Sequence, residues 1–111
     1  MTDFLDVGRV AALNDILRRS LAGGTLVLTA GVVALGRERQ ETILDAIAAF
    51  DRFEPDNDPY GEHDFGAIEA AGERIFWKID YFNRSFARAS PDPADSSVTE
   101  RVLTILLAVE Y

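Results

Sequence analysis

The chain has 111 residues, 48% apolar and 27% charged, which is enough for one buried core and too little for two. It contains no cysteine, so disulfides, thiolate metal sites and cysteine nucleophiles are excluded. Nineteen acids against eleven bases leave a net charge of −8, a balance that repels phosphate and argues against direct binding of nucleic acid, where clustered Lys and Arg supply the affinity.

The first residues, "MTDFLDVGRV", lack a basic start followed by an apolar run. No stretch approaches the roughly 18 apolar residues of a bilayer span, so a cytoplasmic protein without a membrane partner is expected. Val10, Leu13, Ile16, Leu17 and Leu21 recur at spacings of three and four, which predicts an amphipathic helix over 3–22. Asp3 is its expected cap and Gly23-Gly24 its expected stop. "TLVLT", 25–29, has no polar face and reads as a buried strand. A second helix, about 36–50, carries Ile43, Leu44, Ile47 and Phe50 on one face and is closed by Phe53 and Pro55.

An acidic stretch follows. Residues 51–64 hold six acids (Asp51, Glu54, Asp56, Asp58, Glu62, Asp64) against Arg52 alone, a net of −5 that leaves only −3 for the other 97 residues. Asp56, Asn57 and Asp58 are turn formers, Pro55 and Pro59 restrict the backbone and Gly61 permits a positive φ, so a rigid loop is expected. Beyond it, a two-residue turn at Ala71-Gly72 makes Ala70 face Glu73 and aligns two strands. That register sets Glu69 opposite Arg74, Ile68 opposite Ile75, Gly66 opposite Trp77 and His63 opposite Asp80. Ile75, Trp77, Ile79 and Tyr81 form the expected core face; Phe76, Lys78, Asp80 and Phe82 form the other. A third strand is expected at 86–90, with Phe86 facing Phe82 and Arg88 facing Asp80. Ser97 and Glu100 match a capping box, so a helix from Val98 to about Glu110, apolar nearly all round, is expected at the centre of the core. The fold class is α+β, one domain over 1–111, in the order α-β-α-β-β-β-α with an antiparallel meander packed against helices.

"PDNDPYGEHDFG", "FWKIDYF", "SPDPAD" and "RVLTILLAVEY" resemble the motifs of a bacterial family of small proteins of unknown function, often encoded on plasmids and other mobile elements. The resemblance runs over nearly the whole chain. It implies a stand-alone cytoplasmic domain in a mobile-element setting and supplies no activity and no catalytic residue. The family pattern tends to read Tyr-Tyr-Asp after "FWKID", whereas this chain has Tyr81-Phe82-Asn83.

Two functional expectations follow. The first is a non-catalytic acidic interaction protein without a cofactor. It would engage a basic protein surface through Asp56, Asp58, Glu62 and Asp64, with Tyr60 as aromatic anchor. In the mobile-element setting one concrete form is an anti-defence inhibitor, anti-CRISPR or anti-restriction, that occupies the nucleic-acid-binding surface of a protein complex. The second is a small metal-assisted hydrolase or nuclease. It would use His63, Asp80 and a loop carboxylate such as Asp58, because imidazole with carboxylates suits a divalent first-row ion; general acid–base work by His63 with Asp80 is its metal-free form. A calcium loop fails at its strongest ligand, since Ala67 stands where a bidentate Glu is needed. A structural hydrogen bond is the plainer role for a lone His beside an Asp, and Lys78 is expected to pair with a loop acid. A homodimer through the sheet edge is compatible with either expectation.

Overall fold

The computed structural model describes residues 4–111. Its elements are α1 (Phe4–Ser20), β1 (Thr25–Leu28), α2 (Ala30–Ala34), α3 (Arg37–Ala49), β2 (Phe65–Ala70), β3 (Glu73–Phe82) and β4 (Glu100–Leu107). The four strands form one sheet in the order β1-β4-β3-β2. The protein is therefore α+β, with a three-strand antiparallel meander, β2-β3-β4, and β1 added in parallel to β4. Leu17, Val32, Ile43 and Ile47 from the helices meet Ile75, Trp77, Ile79, Leu103 and Ile105 from the sheet in one buried core. Among the described residues, no helix is long and apolar enough to cross a membrane.

α1 ends earlier than Gly23-Gly24 predicts. Leu21 takes φ +60, and its N–H closes on the Leu17 carbonyl at 2.8 Å. The expected cap, Asp3, lies outside the described residues. The buried stripe of α1 is also rotated from the expected one: Val10, Ala11, Asn14, Leu17 and Arg18 are buried, while Ile16 is 51% and Leu21 41% exposed. β1 is an edge strand with alternating burial, not a strand buried on both faces; Val27 is 41% exposed. α3 is the helix expected over about 36–50, and a short helix that the sequence did not lead one to expect, α2, precedes it.

The hairpin register is the expected one, from Phe65↔Lys78 to Ala70↔Glu73. Ala71 and Gly72 supply the two positive φ values, 54 and 77, that such a turn needs. Gly66 lies under Trp77, where any Cβ would come within 2.6 Å of the indole Cε2. The third meander strand is different. Residues 86–90 form a turn tied by Asn83 Oδ1, which accepts from the N–H groups of Ala87 and Arg88. Only a Phe82↔Ala89 bridge remains of the expected strand, and Asp80 faces Val102, not Arg88.

The expected last helix is β4, the central strand. A strand buried on both faces and a buried helix show the same unbroken apolar run; the β-branched residues Val102, Thr104 and Ile105 favour the strand. Both edges of β4 are paired, with Leu103 and Ile105 on the core face and Leu106 nearly buried on the other. The expected Ser97–Glu100 capping box does not form. Asp95 caps a short turn at Ser96–Val98, and Glu100 pairs with Arg84 at 2.9 Å.

Candidate functional site

The acidic stretch between α3 and β2 divides into two parts. The outer part is tied only to itself. Asn57 accepts from the Glu54 N–H at 2.8 Å and donates to the Arg52 carbonyl at 2.8 Å, and the Asp58 N–H closes a turn on the Glu54 carbonyl. These bonds hold the bend without using the acids. Asp51, Glu54 and Asp56 are exposed and make no ion pair among the described residues, and Tyr60 in the same loop is 77% exposed.

The inner part is built into the fold. His63 has φ +56, which turns its side chain to the helix side of the sheet. Its Nδ1 lies 3.1 Å from both carboxylate oxygens of Asp15 on α1. Its Nε2 lies 3.8 Å from Asp58, and its ring stacks on Phe53 at 3.9 Å and 4°. Asp58 is 8% exposed and accepts the His63 backbone N–H. Glu62 accepts from the Tyr81 hydroxyl at 2.9 Å. The buried Asn14 side chain donates to the Glu62 carbonyl and to the Tyr81 hydroxyl oxygen, and accepts from Arg101 Nε at 2.9 Å. Arg101, 2% exposed, also donates to the Pro93 carbonyl.

Arg18 joins this network to α3. A helix leaves its last carbonyls without partners, and here Arg18 donates to those of Ile47 (2.7 Å), Ala48 (3.3 Å) and Phe50 (2.7 Å). A cation at a helix C-terminus is also favoured by the helix dipole. The same guanidinium bonds Asp15 at 2.8 Å and lies over Phe53 and Trp77.

Electrostatics separate the inner acids. Burial raises the carboxyl of Asp15, but the hydrogen bonds and charges of Arg18 and His63 outweigh it and hold the group below its ordinary value. At Asp64 the balance is reversed: burial, with the nearby carboxylates Glu62, Asp58 and Asp80, outweighs a hydrogen bond from the backbone and pushes the group up. Burial likewise pushes the Tyr81 hydroxyl up, so it stays a neutral donor to Glu62.

The structure separates His63 from Asp80. The imidazole turns to Asp15 and Asp58, whereas Asp80 lies on the opposite face of the sheet and pairs with Lys78 at 3.2 Å. Lys78 thus finds its acid two residues along its own strand, not in the loop. Among the described residues no three His, Asp or Glu side chains are placed to hold a metal ion. Both imidazole nitrogens face carboxylates, and a general base needs one of them directed at a substrate. Of the expected binding residues, Asp56 and Tyr60 face outward; Asp58 is buried, and Glu62 and Asp64 are half-buried against β3. Asn14, Asp15, Arg18 and Arg101 did not stand out in the sequence. One signal was there: Asn14 and Arg18 stand four and eight residues after Val10, inside the stripe that Leu17 shares.

A family model described as "Protein of unknown function (DUF3768)" matches residues 28–110. The chain belongs to this family. The DUF3768 match takes in the acidic loop and the β2-β3-β4 meander, while α1, with Asn14, Asp15 and Arg18, precedes it. Comparison with curated proteins and with solved structures returns no match.

Proposed function

We propose that this protein is a non-catalytic interaction protein that acts in the cytoplasm and engages a basic surface of a partner protein through the outer acidic loop. The observation that supports this reading is the contrast within the loop. Asp58, Glu62 and His63 brace it against α1 and β3, while Asp51, Glu54, Asp56 and Tyr60 remain exposed. A braced loop loses little entropy on docking, and an uncompensated anionic patch steers a cationic partner. In the mobile-element setting that the sequence motifs imply, the partner is a nucleic-acid-binding complex of host defence, and the protein is its inhibitor. The test is affinity capture from the native cell at low salt with the wild type and with the Asp51→Lys/Asp56→Lys double variant. Partners retained by the wild type, lost at high salt and lost in the double variant support the reading. Equal capture by both proteins overturns it.

A further inference from the structure

We infer that the free edge of β2 is a strand-addition site for an extended basic segment of a partner protein, with the acids of the adjoining loop engaging its Arg or Lys side chains. This rests on the interaction reading above and specifies how the partner docks.

In an antiparallel pair, residues alternate between those whose N–H and C=O point at the partner strand and those whose groups point away. The two-residue turn makes Ala70–Glu73 an inward pair, so Ile68–Ile75 and Gly66–Trp77 are inward too. The bond from the Ile79 N–H to the Asp64 carbonyl, 2.8 Å, continues the same phase. The backbone groups of Phe65, Ala67 and Glu69 therefore point out of the sheet, because β2 is its last strand. Among the described residues nothing is bonded to them. Sheet edges are usually blunted by proline, a bulge or a covering segment; β2 has six residues, no proline and unbroken pairing.

Two hollows lie along this edge. One, of about 390 Å³, is bordered by Ala46, Phe50, Ala67 and Ile68. The other, of about 290 Å³, is bordered by Phe50, Asn57, Phe65 and Ala67. They share Phe50, Arg52 and Ala67, so they form one groove between the end of α3, the outer loop and β2. An added strand would take main-chain bonds from β2 and place alternate side chains in such hollows. Charge selects the occupant. Within the groove Arg52 and Arg74 offset Glu54 and Glu69, but the outer loop that borders it also displays Asp51 and Asp56, which no ion pair among the described residues offsets. A segment alternating apolar and basic residues fits both parts. β1, the opposite edge, is only four residues long.

The probe is an alternating Arg-Val heptapeptide, about as long as β2, titrated at low salt into the isotope-labelled full chain and followed by amide NMR shifts. A second probe is the same peptide N-methylated at every amide, which keeps its charge and cannot pair as a strand. Two variants accompany them: Ala67→Pro, which removes an outward N–H and leaves the β3 ladder intact, and Asp51→Lys/Asp56→Lys. Shifts at Phe65, Ala67 and Glu69 are expected. N-methylation and Ala67→Pro should each weaken binding by roughly tenfold, and the lysine variant should weaken it as well. If loop amides shift but β2 amides do not, and the N-methylated peptide binds as well as the parent, strand addition is wrong and the acidic-surface reading stands. Unchanged binding to the lysine variant removes the basic segment as occupant. No shift anywhere removes both ideas. A dimer of this chain that covers the β2 edge without peptide also overturns the inference. Should Ala67→Pro fail to fold, the N-methylated peptide alone decides.

Discussion

Residues 51–57 and 58–64 each hold three acids, and the fold uses them in opposite ways. In the first set the carboxylates stand in solvent and the turn is held by backbone groups and Asn57. In the second, Asp58 and Glu62 are hydrogen-bonded into the body of the protein, and Asp64 is pressed between other acids. A run of like charges is thus no single feature. Part of it anchors the segment and part is displayed by it; which is which depends on partners elsewhere in the fold, Tyr81 on β3 for Glu62 and, through His63, Asp15 on α1.

Breaking the anchor should have the largest effect. Arg18→Met removes the donor shared by the carbonyls of Ile47, Ala48 and Phe50 and by Asp15 at a fully buried position, and should cost about 3 kcal/mol or more in urea unfolding. Asn14→Ala removes the group that joins Glu62, Tyr81 and Arg101, with an expected loss of about 2 kcal/mol by the same measurement. The inner acids should then differ in sign. Asp15 lies below the ordinary carboxylate value of 3.8 in the fold. Its stabilisation is present above that value and is lost as pH falls through the folded one. Asp15→Asn should therefore destabilise at pH 7 and converge on the wild type in acid. Asp64 is raised, so its contribution is complete below 3.8 and is lost as pH rises through its folded value. Asp64→Asn should stabilise at pH 7; a loss of stability there would contradict the account of that residue. The outer set should matter least to folding. Asp51→Asn/Glu54→Gln/Asp56→Asn is expected to shift stability by no more than about 0.5 kcal/mol, and a larger loss would show that these acids are anchors too.

Local chemistry made some of this legible in the sequence. The β2-β3 register follows from a two-residue turn that fixes every facing pair, and Gly66 opposite Trp77 was readable because one residue lacks what the other needs room for. The α+β class and the core faces of α3 and β3 were readable from periodicity. β4 was not, because "RVLTILL" is apolar on all sides whether it is a buried helix or a central strand, and only its partners decide. The anchor was not legible either. Asp15 looks like the solvent face of a helix, Arg18 stands in the apolar stripe with nothing in the sequence to show that the end of α3 supplies its carbonyl partners, and His63 was drawn to Asp80 by a register that its own positive φ interrupts. The displayed acids were visible as a cluster, but no spacing rule told Asp56, which is exposed, from Asp58, which is buried.

The parallel pairing of β1 with β4 has a temporal consequence. Thr25 must wait for Val102 and Leu28 for Ile105, so the early part of the chain has no strand to join until nearly everything between has been synthesised. Closing so long a stretch is entropically slow. On a translating ribosome the N-terminal third would stay without its sheet, in need of shelter, until residue 105 has cleared the exit tunnel.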